Sequence, residues 1–160
     1  MEVIAEFQVT EQLDDKTLRQ RLKELGVDAR RLSRFTQLAL LGALNLREFV
    51  NGESAVYLGS NFNSPSKFYK MFNNLLQEHL PSPLDFMANI NNAAVFQIVQ
   101  SLDLQGAGIF LALEKHEITK LFDLAELDLA PNQTALIGWV LEHSQQYQQD
   151  ESCWWVVRGI

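Results

Sequence analysis

GAGIFLALEKHEITKLF, Gly106–Phe122, is the stretch on which the reading of this chain turns. GAGIFLAL is small or apolar throughout, Glu114, Lys115, His116 and Glu117 follow at once, and Ile118, Leu121 and Phe122 then return at helical spacing. A buried strand that turns into a helix is a common seat for a nucleophile, because the first amides of the helix favour negative charge. Two readings of the charged quartet follow. Lys115 or His116 could do acid/base or nucleophilic work at a helix start. Alternatively, the four are a solvated first turn in which the glutamates meet the helix dipole. The pattern beyond them favours the second. Ile118, Leu121, Phe122, Ala125 and Leu129 share one face, whereas His116, Glu117, Lys120, Asp123 and Glu126 occupy the rest, the stripe of a helix with one wet side.

Working outward, EVIAEFQV at 2–9 alternates and predicts a strand, with Glu2, Glu6 and Gln8 on its wetter face. Asp14 is placed to cap a helix carrying Leu18, Leu22 and Leu25, and Gly26 to end it. RRLSRFTQLALLGALNLREF, 30–49, is apolar nearly all round its middle and predicts a buried helix. SAVYLGS at 54–60 predicts a short buried strand, and a loop to Ser66 precedes a helix holding Phe68, Met71, Phe72, Leu75 and Leu76. Pro81 and Pro83 break that helix, and a new one is expected over 89–102. The opening strand, 106–113, is followed by a helix at 116–127, a strand at 134–142, a Gln-rich loop at 143–151 and a last strand, CWWVVRG. That final connection has no helix, so the last two strands should be antiparallel. The order βαβαβαββ predicts one α/β domain over 1–160, a five-stranded mixed sheet with helices packed on it.

The composition narrows the function. A net charge of −7 and scattered Lys and Arg leave no basic stripe for a phosphate backbone, so nucleic acid is not an expected partner. One cysteine cannot build a disulfide framework, MEVIAEFQVT has no signal-peptide pattern, and no apolar run approaches a membrane span; a cytoplasmic protein is expected. His79, His116 and His143 stand at no metal-ligand spacing, and Gly52, Gly59 and Gly106 form no phosphate loop, so no metal and no cofactor is implied. Cys153, beside Trp154 and Trp155, fits a small buried hydrophobe better than a reactive thiol.

Three segments carry a resemblance: RRLSRFTQLALLGALNL (30–46), AVYLGSNFNSPSKF (55–68) and PSPLDFMANINNAAVFQIVQSLDLQGAG (81–108). Together they resemble the amino-terminal half of a β-ketoacyl synthase of the thiolase superfamily. The resemblance implies a single half-thiolase unit with strand order 3-2-1-4-5. It aligns Gly106 with the glycine that opens the nucleophile strand and puts the position of the catalytic cysteine at or beside Lys115, the residue that replaces it. The histidines of that family lie in its second half, which this chain does not reach, and Cys153 falls on another strand. A non-catalytic subunit, similar to a chain-length factor, is therefore expected. It would form a heterodimer with an active β-ketoacyl synthase in bacterial fatty acid, polyketide or aryl-polyene synthesis, meeting acyl carrier protein only through that partner. The resemblance implies a dimer interface at Gly108, Ile109, Phe110 and Leu111, on the edge strand 106–113, and at Asn92. It also implies acyl-pocket or gating roles for Phe96, Phe86, Met87 and Val99, which periodicity alone reads equally well as core. Two alternatives stay open: a homodimeric interaction protein, and a small acyl-thioester enzyme using Lys115, His116 or Cys153.

Overall fold

The structure, a computed structural model, describes residues 1–160. Five strands, β1 (Glu2–Val9), β2 (Ala55–Ser60), β3 (Gly108–Ala112), β4 (Thr134–Leu141) and β5 (Glu151–Arg158), form one sheet. Around it lie α1 (Asp15–Glu24), α2 (Arg34–Leu44), α3 (Pro65–Leu76), α4 (Pro83–Ala88), α5 (Ala93–Leu102) and α6 (Thr119–Asp128). β2 runs parallel to β3 and β4, whereas β5 is antiparallel to β4 and β1, so the α/β class and the antiparallel final pair are as expected. No helix is long and apolar enough to cross a membrane.

The place of β1 differs from expectation. The sheet runs β3-β2-β4-β5-β1, with β1 on the outer edge beside β5 rather than between β2 and β4 as the order 3-2-1-4-5 required. β2 and β4 are buried along their whole lengths, so a strand between them would have to bury Glu2 and Glu6, which is costly for unpaired carboxylates. At the edge those side chains stay exposed, and Arg158 donates to Glu2 across the pair. A register shift between Val3 and Ala5 is the kind of irregularity that blunts a free edge.

Two apolar layers sandwich the sheet. On one side Leu18, Leu22, Phe35, Leu38 and Ile98 from α1, α2 and α5 pack on Leu58, Leu136 and Trp154. On the other, Leu121 and Ala125 of α6 cover Tyr57, Ile137 and Trp139. α2 lies so close to β5 that a Cβ at Gly42 would overlap the Trp154 ring. α2 is shorter than 30–49 because Ser33 caps it, accepting from the Thr36 N–H, and ten of its eleven residues are buried. The segment 77–102 also departs from expectation. Pro83 does not simply break the chain; it begins α4 as its first residue, with extended Ser82 accepting the Asp85 N–H. α5 consequently starts only at Ala93 and ends at Asp103 in the left-handed region.

α3 and α4 lie outside this core. They bury only Pro65 and Asp85 respectively, and Asp85 is held by Lys67 Nζ at 3.3 Å and Lys70 Nζ at 3.6 Å.

Candidate functional site

At the β3–α6 junction, Lys115–Glu117 form a single 3-10 turn. It is closed by a capping box in which the Glu117 carboxylate accepts the Glu114 N–H at 3.0 Å. Lys120 Nζ reaches Glu117 Oε1 at 2.5 Å, and that hydrogen bond, with the one from Glu114, keeps the Glu117 carboxyl below its ordinary value. The Lys115 side chain, which the resemblance puts at or beside the nucleophile position, is 64% exposed and donates to Glu151 Oε2 at 2.6 Å. The same oxygen accepts Trp139 Nε1 at 3.1 Å. A catalytic lysine is normally activated by desolvation or a neighbouring cation, whereas this one is solvated and paired. His116 is likewise in the solvated turn. Cys153 lies on β5 opposite Trp139, partly buried. Burial and the Glu151 charge push its thiol up, against a smaller opposing effect of Lys115. No group of three His, Cys, Asp or Glu side chains is placed to hold a metal ion.

Two buried charges behind the junction escaped the sequence reading. Glu142, directly after β4, is 1% exposed. Its carboxylate accepts the Phe35 N–H at 3.1 Å, the Ser66 N–H at 3.2 Å and the Ser64 hydroxyl at 3.0 Å. One side chain thus satisfies orphan donors at the starts of both α2 and α3 and fixes their spacing at the carboxyl ends of the parallel strands. Asp150, its side chain 3% exposed, binds Arg34 Nη2 at 2.6 Å, the His143 N–H at 2.9 Å and His143 Nδ1 at 2.9 Å. Burial works against its ionisation, yet Arg34 and the His143 N–H outweigh it and hold the carboxyl below its ordinary value. Arg34 also meets Asp15 Oδ1 at 2.6 Å and donates to the Leu13 carbonyl, so one guanidinium ties the β4–β5 loop to α1 and α2.

The largest unexplained feature is apolar. Of the sixteen exposed large hydrophobic residues, twelve fall between Phe62 and Phe96; scattered singly they would need no account, but contiguous they mark an interaction surface. Phe62 and Phe72 flank Phe68 with ring centres 5.6 and 5.9 Å away. The candidate pocket residues separate here. Met87 and Phe96 share a slot of about 460 Å³ with Leu84 and Ile90, roofed by Arg31 and Leu32. Phe86 instead faces a cleft of about 740 Å³ that reaches Phe110 and Ala112 of β3. Asn92 borders both. Val99 is turned inward against the core, and a Cβ at Gly108 would meet Val95 at 2.9 Å and Val99 at 3.5 Å, so α5 lies directly on β3. Phe86, Met87 and Phe96 are 63%, 60% and 54% exposed, which removes the reading of these three as core.

β3 is the other edge of the sheet. Phe110 is partly buried, edge-on to Phe35 at 6.4 Å, and Ile109 and Leu111 pack towards α6. Its outer side carries no strand. The unpaired side of this apolar strand, beside the apolar α3–α5 face, leaves backbone donors and acceptors free for another strand.

Neither a protein-family model nor a curated protein sequence matches this chain. Solved structures do. A complex of a ketosynthase with its chain length factor from Xenorhabdus doucetiae aligns over 99% of this chain and 79% of the matched chain, with a TM-score of 0.73 at 14% identity. The fold is ketosynthase-like. The ishigamide ketosynthase/chain length factor aligns over 75% of this chain with a TM-score of 0.58 at 13% identity. A ketosynthase from module 1 of the bacillaene synthase of Bacillus amyloliquefaciens FZB42 aligns over 86% with a TM-score of 0.54 at 10% identity. The alignments cover 33% and 31% of those two chains. At such identities the likeness is one of fold, and in the first of these structures it runs along 99% of this chain.

Proposed function

We propose that this chain is a non-catalytic, chain-length-factor-like subunit that pairs with an active β-ketoacyl synthase and forms the far wall of its acyl pocket. The observation that carries the proposal is the exposed apolar face from α3 to α5 beside the unpaired edge of β3. Permanent interfaces typically bury about 2,000 Å² or more and are more apolar than transient ones, so a face of this kind suits an obligate partner. The matched structures that pair a ketosynthase with a chain length factor support the choice of partner. In the pair, the partner would take the acyl group from a carrier protein and perform the condensation in a bacterial fatty acid, polyketide or aryl-polyene pathway. Gly108, Ile109, Phe110, Leu111 and Asn92 would lie at the junction of the subunits. Phe86, Met87 and Phe96 would meet the growing chain, with Val99 supporting them from beneath.

Lys115 stands at or beside the position where the resemblance puts a cysteine, and its pairing with Glu151 supports a silent junction. The test is condensation by the ketosynthase alone, by the pair, and by pairs carrying Lys115→Ala or His116→Ala. The pair should exceed the ketosynthase alone, and neither variant should matter greatly. A loss of more than about a hundredfold, roughly 2.7 kcal/mol of barrier, in a pair that still assembles would show that the junction does chemistry. The unpaired edge would also serve a second copy of this chain, the reading in which it is a homodimeric interaction protein. A dimer that persists at nanomolar concentration and excludes the ketosynthase would favour that reading.

A further inference from the structure

The cations of this acidic chain are unevenly committed. Of its 13 Lys and Arg residues, eight lie in ion pairs with carboxylates. The five without such a partner are Lys16, Arg19, Lys23, Arg31 and Arg47, and four of these fall between residues 16 and 31. That segment carries six cations against two carboxylates in a chain of net charge −7. The two carboxylates are occupied: Asp28 holds Arg30 at 2.6 Å, and Glu24 accepts from Gln20 at 3.1 Å. Asp15, on the same helix, pairs with Arg34.

Leu18 and Leu22 are fully buried and anchor α1, which turns Lys16, Arg19 and Lys23 outward. These three are spaced i, i+3 and i+7, on one helical face about 10 Å long. With Gln20 and the loop Gly26–Arg30 they line a cleft of about 760 Å³. Like charges one turn apart repel, so the arrangement costs some stability until an anion faces it.

We propose that the α1 face is a docking surface for a protein partner presenting an acidic helix, whose carboxylates recur once per turn and so match the three cations. Other anionic partners fit less well. A nucleic acid would extend beyond three cations onto a surface that is otherwise acidic and repels it. A membrane-binding helix needs exposed apolar residues beside its cations, and those of α1 are buried. The surface is separate from the α3–α5 face, and this inference does not depend on the pairing proposed above.

The test uses the full chain and a labelled, alanine-based peptide of about 20 residues with glutamates once per turn, followed by fluorescence anisotropy. Saturable binding is expected, weakened by salt and reduced at least about tenfold in the Lys16→Glu, Arg19→Glu, Lys23→Glu triple variant. Arg47→Glu, which reverses an unpaired cation elsewhere, should bind as the parent does. A triple change to Gln gives the same comparison if charge reversal disturbs folding. The proposal is overturned if no saturable binding occurs, if the triple variants bind like the parent, or if a DNA duplex or phosphatidylglycerol vesicles bind more tightly than the peptide.

Discussion

Phe96→Ala separates the fold of this chain from its proposed role. Phe96 is 54% exposed, whereas Phe35 in the core is fully buried. Burying a whole Phe side chain is worth about 1.5–3 kcal/mol, and less than half of this ring is covered, so truncation should cost the isolated chain only about 1 kcal/mol. The same change at Phe35 should cost about 3–5 kcal/mol. At an interface the ranking reverses. A ring that fills a pocket in a partner is commonly worth at least about 2 kcal/mol, roughly thirtyfold in Kd. The assay has three parts: urea unfolding of the isolated chain, titration with the partner ketosynthase, and product lengths from pairs assembled at saturating concentration. A small loss of stability, a large loss of affinity and a shift to longer products are expected. A loss of 3 kcal/mol or more in the isolated chain would make the ring core after all. Unchanged affinity and unchanged products would refute both the interface and the gate.

Three further predictions come from the buried charges and the thiol. Asp150→Asn removes the buried one of Arg34's two carboxylate partners, with Asp15 remaining, and should cost about 1.5–3 kcal/mol at neutral pH. Because the Asp150 carboxyl is held below its ordinary value, its contribution is complete above about pH 4 and fades as pH falls through the lowered folded-state value. Parental stability should therefore fall over that acid range more steeply than the variant's, and parallel pH profiles would contradict this. Glu142→Gln replaces one of two acceptor oxygens with a donor facing donors, and should cost about 2–3 kcal/mol by chemical denaturation; a change within about 0.5 kcal/mol would deny Glu142 its role in spacing α2 and α3. Cys153, partly buried with its thiol pushed up, should react with iodoacetamide at neutral pH at least about tenfold more slowly than a free thiol; rapid alkylation would revive the thiol-enzyme alternative.

Local patterns carried most of the fold. The apolar runs of β2 and β4, the caps Asp14 and Gly26, and the two-sided stripe of α6 each depend on neighbours within a few residues. What could not be read depends on distant ones. The polar face of β1 was visible as Glu2, Glu6 and Gln8, but not that Val157 and Trp155, some 150 residues away, would put that strand on an edge. Pro83 carries the same local signal whether it breaks a helix or begins one, and the Ser82 side chain decided the matter. Arg34 counted only as one of the scattered cations, because its partners Asp15 and Asp150 are far from each other in sequence. Glu142 had one legible sign, a carboxylate closing an otherwise apolar strand, and its meaning required the starts of α2 and α3 to converge on it. Among the candidate site residues, periodicity could not tell Phe96 from Val99, three positions apart on α5, one facing out and the other in.

The proposed pairing requires that a ketosynthase complete the outer side of β3. Its most direct test is amide hydrogen exchange over Gly108–Ala112, in the free chain and after addition of the ketosynthase, with the complex mass taken by light scattering on the same samples. Fast exchange at the outward-facing amides of the free chain, strong protection in the mixture, and the mass of one subunit of each kind are expected. Unchanged exchange along β3, with both proteins retaining their separate masses, would contradict it.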